Sequence, residues 1–395
     1  MPIPKLKPLA RRVGAVAVGM AFALGGYHTV WAETAKDKPA EAKPAKPAEP
    51  AKPAGPPDLL PLPDFKPPEK PDMVELGKHL FFDKRVSGDW GVSCASCHDP
   101  KQGFGDGMAL SAGYPSMLHF RNAPTLLNSK YRNRFMWDGR LEGKDMGTLV
   151  RDMVTETHTM NMDGRLVQER LKQIPEYVAL WEKAFEGKSK DPYGPNMFNV
   201  IGEFVKTVES QYAPFDFYKE GDANALTPQA KLGYDLFKGK ANCVSCHNGP
   251  IGSDGKLHRL GVPENPEIMQ DPLRSITMLR HYSTSGLPNY MNTRTDVGFQ
   301  AISKDPKDAG KFQTAPLRDL KYTAPYMHNG MLATLEEVID FYDKGGAEGS
   351  ALKPLSLSAD EKAALKEFLL SLSGEQVVVN APKLPDFKPR EFGKN

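Results

Sequence analysis

All four cysteines of this chain lie in two Cys-x-x-Cys-His motifs, at residues 94–98 and 243–247. This spacing is the attachment signature of a c-type haem: two thiols form thioether bonds to the porphyrin, and the next histidine binds the iron. Two such motifs predict two covalently bound haems and a function in electron transfer or peroxide chemistry. The residues predicted to hold the haems are Cys94, Cys97, His98, Cys243, Cys246 and His247.

Two other uses of paired cysteines fit the sequence less well. The pairs of a zinc ribbon are separated by roughly 15–20 residues, whereas these two motifs lie about 150 residues apart. A thioredoxin-like redox pair does not need a histidine immediately after each motif. The haem interpretation is therefore favoured on the motifs alone.

The first 32 residues have the pattern of a signal peptide. Basic residues up to Arg12 precede an apolar run at residues 13–26, and Val30 with Ala32 forms a small-x-small cleavage pattern. The apolar run is shorter than the roughly 20 residues of a membrane-spanning helix, and an uncleaved membrane anchor is the alternative. Because bacteria attach c-type haems outside the cytoplasm, the sequence predicts a periplasmic protein.

Residues 33–72 are rich in alanine, proline, lysine and glutamate. Such a composition buries little apolar surface and predicts a disordered, extended linker. The whole chain has 51 basic and 49 acidic residues and a net charge of +2, with the most basic segments in the signal peptide and the linker. This distribution of charge argues against nucleic acid as a partner.

A repeated phrase precedes each haem motif, LGKHLF at residues 76–81 and LGYDLF at residues 232–237. Its leucines and phenylalanine are spaced so that they lie along one side of a helix. Asp72 is the predicted N-cap of the first helix. Thr227 is the predicted N-cap of the second, with Pro228 at the first helical position.

Each half of the chain thus begins with a helix, a loop and a haem motif, which is the opening of a cytochrome c domain. The predicted fold is all-α and loop-rich, because strand signals are few and glycine and proline are abundant, at 35 residues each. The predicted cytochrome c domains are residues 73–222 and 223–375, followed by a tail at residues 376–395.

Two further helices are marked near the C-terminus. Thr334 with Glu337, and Ser358 with Glu361, each have the spacing of a capping box at the start of a helix. These two helices belong to the predicted second cytochrome c domain.

Seven segments carry a family resemblance: LGKHLFFDKRVS, SCASCH, RNAPTLLN, FMWDGR, CVSCHNGP, APLRDLKYTAPYMHNG and ALKEFLLSLSG. Together they make residues 73–376 similar to the dihaem cytochrome c peroxidase and MauG superfamily. In that family the N-terminal haem reacts with peroxide, and the C-terminal haem collects or stores electrons. The resemblance implies that His98 and His247 are the proximal iron ligands.

By this resemblance, Trp137 lies between the two haems and shortens the path of the electrons. Glu156 matches the glutamate of the peroxide site, where a carboxylate near an open iron moves a proton during peroxide cleavage. Without the resemblance, Trp137 would be interpreted as a buried core residue and Glu156 as a residue of a helix surface.

The resemblance also implies a calcium ion between the haems, bound by Asn122, Thr323 and Pro325. An amide oxygen and two backbone carbonyls are suitable donors for a hard cation. Ordinary hydrogen bonding within loops is the alternative. His328, in the same segment as Thr323 and Pro325, is expected to bond a haem propionate or the backbone rather than iron.

Tyr342 stands where the family places the sixth ligand of the C-terminal haem. The peroxidases have a methionine there, and the MauG type has a tyrosine. Tyr342 shares a helix face with Leu335 and Ile339, which directs it toward the cofactor. An oxygen donor lowers the reduction potential and stabilises the higher oxidation states of iron. The alternative ligands are Met327 and Met331.

Peroxidases of this family that need prior reduction block the N-terminal haem with a histidine sixteen residues after the proximal one. In this chain that position holds Tyr114, and His119 is displaced from it. The sequence therefore predicts an open, five-coordinate haem that reacts with peroxide without prior reduction.

The predicted function is that of a periplasmic dihaem peroxidase, which reduces hydrogen peroxide with electrons passed between its haems. The electrons would come from a small donor protein, a cytochrome c or a cupredoxin. The first alternative is a MauG-like enzyme that uses peroxide to oxidise side chains of a partner protein. The second is a dihaem electron carrier without catalysis.

Overall fold

The fold is dominated by helices joined by long loops. The computed structural model describes residues 57–143, 145–189 and 192–386. The predicted signal peptide, residues 33–56 of the predicted linker and the last nine residues of the tail lie outside the described residues. No helix within these ranges combines the length and apolar composition that crossing a bilayer requires.

Within the described ranges there are twelve α-helices and only two short sheets, which confirms the predicted helix-dominated class. The helices are α1 (Pro71–Phe82), α2 (Met146–Thr155), α3 (Gly164–Lys172), α4 (Pro175–Ala184), α5 (Gly194–Lys206), α6 (Pro214–Glu220), α7 (Pro228–Lys238), α8 (Glu267–Gln270), α9 (Pro272–Thr284), α10 (Gln300–Ser303), α11 (Leu335–Asp343) and α12 (Ala359–Leu370).

The two sheets are antiparallel strand pairs that fix the loop around Trp137. The pairs are β1 (Arg134–Phe135) with β2 (Leu141–Glu142), and β3 (Leu257–Arg259) with β4 (Lys311–Gln313). Trp137 lies in the turn between β1 and β2. The backbone N–H of Gln313 donates to the Trp137 carbonyl over 2.9 Å, so the second sheet holds the turn of the first.

The repeated phrase produces the same helix crossing in both halves. In α1, Gly77 faces α5 so closely that a Cβ atom would lie 2.0 Å from the Val200 carbonyl oxygen. In α7, a Cβ atom at Gly233 would lie 2.0 Å from the Ala364 carbonyl oxygen of α12. Only glycine, which lacks a Cβ atom, permits this approach. The internal repeat in the sequence is therefore a repeat of tertiary packing.

Three of the four predicted helix starts are confirmed. The Thr227 side chain accepts a hydrogen bond from the backbone at the start of α7, and Thr334 and Ser358 begin complete capping boxes. The prediction of Asp72 as an N-cap is wrong, because α1 begins one residue earlier at Pro71. A proline already has the φ of a first helical residue, and its missing N–H costs nothing there.

Two large apolar clusters form the cores of the two halves. The buried residues of the first run from Leu76 to Val208, and those of the second from Phe215 to Leu372, together with Leu59. The cores thus divide the chain ahead of the predicted boundary at 222/223. The difference arises because Phe215 of α6 packs against aromatic rings of the second half.

A third apolar cluster joins the two halves. Leu110 and Phe120 come from the first half, and Met278 and Tyr282 of α9 come from the second. Helix α9 therefore covers the loop at residues 110–121, which follows the first haem motif.

The end of the predicted linker is ordered and docks on the second half. Leu59 is fully buried. The Leu60 N–H donates to the Gly249 carbonyl over 3.2 Å, and the Gly249 N–H donates to the Asp58 carbonyl over 2.9 Å. We name residues 58–62 the N-terminal strap. The predicted disorder is wrong for this segment. The average composition of the linker does not show that one of its leucines, Leu59, is buried against the second half.

Candidate haem and peroxide site

Each histidine of the haem motifs is oriented by a backbone carbonyl. His98 Nδ1 lies 3.1 Å from the Phe104 carbonyl oxygen, and His247 Nδ1 lies 2.9 Å from the Gly252 carbonyl oxygen. Because a carbonyl only accepts hydrogen bonds, each Nδ1 carries the proton and each Nε2 keeps a free lone pair. Metal-binding histidines are commonly oriented by such a contact, so both are prepared to bind iron through Nε2.

The loop that orients His247 is itself held by the N-terminal strap. The Leu59 side chain packs so close to Gly252 that a Cβ atom there would lie 3.2 Å from it. Arg318 donates from Nε to the Pro250 carbonyl and from Nη2 to a strap carbonyl, both over 2.8 Å. The strap therefore supports the backbone whose carbonyl orients His247.

A cavity of about 660 Å³ opens at the second haem motif. This volume is typical of a cofactor pocket. Leu335 and Ile339 of α11 line it beside Tyr342, as their helical spacing predicts, whereas Met331 does not line it. The other predicted site residues on its wall are Cys243, Cys246, His247, Trp137, Asn122, Thr323, Pro325 and Met327.

Two unpaired nitrogen atoms on the cavity wall fit the carboxylates of a haem. Arg132 Nε and His328 Nε2 are buried and have no hydrogen-bond partner among the described residues. Burial lowers the pKa of Arg132 to about 10, so its guanidinium stays charged at neutral pH. Unpaired buried polar groups are costly. With the apolar wall and the two thiols, this set of donors fits a porphyrin with its two propionates.

Trp137 lies on the cavity wall where the two halves of the chain meet. Its indole Nε1–H donates to the Asn122 carbonyl over 2.9 Å, and its ring lies edge-on to His328 with the centroids 6.5 Å apart. Gln102 and Asp106, which follow the first haem motif, line the same cavity. The indole therefore stands in the cavity of the second motif, beside the loop that leaves the first.

The predicted calcium ligands meet on the same wall. Asn122, Thr323 and Pro325 all line the cavity. The Asn122 N–H donates to the His328 carbonyl over 2.8 Å. This bond joins the two segments that carry the three residues, which lie about 200 positions apart in sequence.

Glu156 lies beside the first haem motif and is not on the wall of the large cavity. It follows α2, in a turn whose Met160 Sδ is 3.9 Å from Cys94 Sγ. Its Oε1 accepts from Arg140 Nη2 over 3.1 Å, and its Oε2 lies 3.1 Å from His158 Nε2. Burial opposes ionisation, but His158 and Arg140 outweigh it and lower the pKa of Glu156 to about 2. The carboxylate is therefore ionised; Arg140 holds Oε1, and Oε2 is buried without a hydrogen-bond partner among the described residues.

A buried network of charges connects Glu156 with the region of Trp137. Arg121 donates from Nε to Asp296 over 2.6 Å and from Nη1 to Asp138 over 2.7 Å. Asp138 also lies 3.1 Å from Arg140 and 3.2 Å from His281. Burial opposes ionisation of Asp138, yet the two arginines hold its pKa well below the usual range. Sequence reasoning missed these residues, although three of them stand in the RNAPTLLN and FMWDGR segments.

The sequence analysis singled out Tyr114 and His119, and the structure shows what each of them contacts. The Tyr114 hydroxyl lies next to Gly88, where a Cβ atom would be 2.8 Å from it. His119 accepts a hydrogen bond at Nδ1 from the Arg121 N–H over 3.1 Å, and its ring centroid is 5.1 Å from that of His158. Sequence reasoning missed His158, whose one signal was its position two residues after Glu156.

Comparison with known proteins agrees with this arrangement. A family model described as di-haem cytochrome c peroxidase matches residues 71–224. The cytochrome-c peroxidase IdrP2 of Pseudomonas sp. (strain SCT) is 64% identical over 338 residues, which cover 86% of this chain and 91% of that protein. The chain belongs to the di-haem cytochrome c peroxidase family. The predicted enzyme class, a di-haem peroxidase or MauG-like oxidoreductase, is confirmed, and the family implies haem c cofactors.

The similarity extends to MauG proteins. The methylamine utilization protein MauG of Methylorubrum extorquens is 32% identical over 392 residues, which cover 98% of this chain and 99% of that protein. The crystal structure of a MauG-like protein associated with microbial copper homeostasis matches with a TM-score of 0.67 at 28% identity, over 80% of this chain and 95% of that one. Membership of this enzyme family excludes the second alternative, a dihaem electron carrier without catalysis.

Proposed function

We propose that this enzyme reduces hydrogen peroxide at the haem of the first motif, with electrons that enter at the haem of the second. One observation carries the proposal: Glu156 lies in a turn beside Cys94, while Trp137 lines the cavity of the second motif next to the loop that leaves the first. This division supports a peroxide site in the first half and an electron relay toward the second. The signal-peptide pattern supports a periplasmic location.

The haems are held by the two pairs of thiols and by the two carbonyl-oriented histidines. Each bound haem supplies an iron that gains and loses single electrons. Tyr342 would help to hold the iron of the second haem, because α11 brings it to the cavity wall that also contains His247. Met327 is the competing ligand on that wall. The covalent and proximal residues are Cys94, Cys97, His98, Cys243, Cys246 and His247.

Glu156 moves a proton while peroxide is cleaved. Cleavage requires a proton to pass from the inner to the outer oxygen, and a positioned carboxylate does this. Arg140 fixes one carboxylate oxygen, and Asp138 in turn fixes Arg140. Glu156 therefore keeps one orientation throughout the reaction.

Trp137 passes electrons without releasing a proton. Its indole N–H is donated to the Asn122 carbonyl, and a carbonyl oxygen is too weak a base to remove that proton. Oxidation and reduction of the indole then leave its proton in place, so electron passage does not wait for solvent.

A calcium ion at Asn122, Thr323 and Pro325 would stabilise the same relay. These residues offer an amide oxygen and backbone carbonyls, which suit a hard cation. The Asn122 carbonyl also receives the Trp137 N–H. A cation bound here would therefore fix the segment that holds the indole.

The test is steady-state turnover of the purified holoenzyme with hydrogen peroxide and a reduced cytochrome c or cupredoxin. We expect two donor molecules to be oxidised for each peroxide. Trp137→Phe should slow donor oxidation while the first haem still reacts with peroxide, and Glu156→Gln should slow the reaction with peroxide itself. Unchanged rates in both variants would contradict the proposal.

The first haem is proposed to be open in the resting enzyme. The hydroxyl of Tyr114, at the position that would hold a blocking histidine, lies beside Gly88. We expect a high-spin ferric signal from this haem and a reaction with peroxide before any reductant is added. Low-spin, six-coordinate iron at both haems would contradict this part of the proposal.

Oxidation of a partner protein, as a MauG-like reaction, is the second candidate function. The presence of Tyr342 on the cavity wall favours it, because an oxygen ligand stabilises the higher oxidation states of iron. Slow turnover with every small donor, together with stoichiometric peroxide-dependent modification of a partner protein, would select this function over the first.

A further inference from the structure

Two side chains lie at the Glu156 carboxylate, Arg140 and His158. We propose that His158 is a proton-relay residue that acts through Glu156, an inference that rests on the proposed function. His158 Nε2 lies 3.1 Å from Glu156 Oε2. His158 thereby stands next to the carboxylate oxygen that Arg140 leaves, because Arg140 binds Oε1 and Oε2 has no hydrogen-bond partner among the described residues.

Arg140 cannot take this role. An arginine side chain stays protonated in proteins, and Arg140 is also fixed by Asp138 at 3.1 Å. Glu156 has a pKa of about 2, so it does not store a proton at neutral pH. Of the two side chains beside Glu156, the imidazole of His158 is therefore the one that can take up and release a proton.

The surroundings of His158 form a path away from Glu156. His158 is only 7% exposed, and the ring centroid of His119 lies 5.1 Å from its own. His119 accepts the Arg121 N–H at Nδ1, so its proton sits on Nε2. The two imidazoles therefore lie next to each other, and the proposed relay passes from the carboxylate through His158 to His119.

Arg121, Arg140 and His281 are the other charged or titratable side chains that act on His119. His281 and Arg140 act on Glu156 from the side of Asp138. Arg280 of α9 donates to Thr157 over 2.9 Å. The backbone N–H of Tyr114 donates to the His158 carbonyl over 3.2 Å.

The stoichiometry requires protons to reach the site from solvent. Peroxide reduction consumes two electrons and two protons for each peroxide and forms two water molecules. The first water leaves with both protons of the peroxide, one of them moved by Glu156 from the inner oxygen. The two electrons from the donor protein reduce the remaining oxygen, and two protons from solvent complete the second water. His158 delivers those two protons one at a time through Glu156.

The test is His158→Gln in the holoenzyme. Glutamine retains a hydrogen-bond donor toward Glu156 but carries no exchangeable proton of suitable acidity. We expect donor turnover to fall about 100-fold or more, as for loss of an acid–base group, with the apparent peroxide KM little changed. We also expect the pH–rate profile of the enzyme to change and the solvent isotope effect on turnover to rise.

The matched control is His79→Gln, on α1, where the histidine Nδ1 lies 2.9 Å from the Glu75 carbonyl. It should keep the wild-type rate and pH profile.

Glu156→Gln separates the proposed role of Glu156 at the peroxide site from the proposed role of His158 in the relay. If Glu156→Gln slows turnover and His158→Gln does not, the relay is refuted and the peroxide site stands. If neither slows turnover, the proposed function fails at Glu156 itself.

A second variant covers the case in which glutamine disturbs the site. Turnover of His158→Ala should be slow. Added imidazole should raise the turnover rate of this variant at least tenfold, by an amount that depends on pH. Haem absorption and the unfolding midpoint establish that the variant is folded. A folded His158→Ala enzyme with the wild-type rate, or one that imidazole does not restore, would overturn the relay.

Discussion

Replacing Leu59 by alanine tests whether the N-terminal strap is a structural part of the second half. Leu59 is fully buried, and leucine-to-alanine changes in protein cores cost about 2–5 kcal/mol. The strap lies outside the helices and the two sheets and can relax, so we expect a loss near the lower limit, about 2–3 kcal/mol of unfolding free energy. Loss of support for the Gly252 carbonyl should also loosen His247.

The assay is denaturant unfolding of the holoenzyme, followed by tryptophan fluorescence and by haem absorption. The midpoint should fall while the slope with denaturant is unchanged, because the folded state exposes little new surface. Leu60→Ala is the matched control, since Leu60 is 48% exposed and surface changes usually cost less than about 0.5 kcal/mol. Equal midpoints for the two variants would refute the anchoring role of Leu59.

Three further outcomes are expected. Gly233→Ala should lower the thermal unfolding midpoint by the equivalent of about 1–3 kcal/mol, from overpacking, whereas Gly164→Ala, whose Cβ atom would meet its nearest neighbour at 3.5 Å, should be neutral; similar midpoints would contradict the helix-crossing argument. Arg121→Leu should cost about 3–5 kcal/mol of unfolding free energy, because it removes the charged partner of buried Asp296 and one of the two arginines at Asp138. Because the carboxylate pKa values are lowered, the stability that the Arg121 ion pairs contribute is present above about pH 4 and is lost as the pH falls. The unfolding free energy of the variant should therefore decrease less on acidification than that of the wild type, and parallel curves of unfolding free energy against pH would contradict this explanation. Tyr342→Phe should change the ferric EPR signal of the second haem while Met327→Leu should not, and the reverse result would make methionine the ligand.

Local signals in the sequence were sufficient for the elements whose cause is local. Thr227, Thr334 and Ser358 begin helices because their side chains bond backbone N–H groups a few residues away, an interaction that needs no distant partner. The prediction of Asp72 as an N-cap was wrong because Pro71 begins the helix one residue earlier. The internal repeat predicted two related halves, but not that its glycines set the helix crossings.

The parts that sequence reasoning missed depend on partners far away in the chain. The strap docks through Leu59 into a pocket made by the second half, and no local pattern predicts that pocket. Arg121 and Asp296 are 175 positions apart, so their ion pair is invisible without the fold. His158 lies close to Glu156 in sequence, but its relation to His119 depends on the loop that α9 holds in place.

The strap also sets the order in which the molecule can be completed. The chain is synthesised from its amino end, and Leu60 precedes its partner Arg318 by 258 residues. The strap therefore cannot dock, and Leu59 stays exposed, until most of the polypeptide has been synthesised. Contacts between residues so far apart in sequence are also slow to form. The second half is consequently a discontinuous unit: a fragment cut between the two cores would leave one piece with an unburied leucine and the other with an empty pocket beside its iron-binding loop.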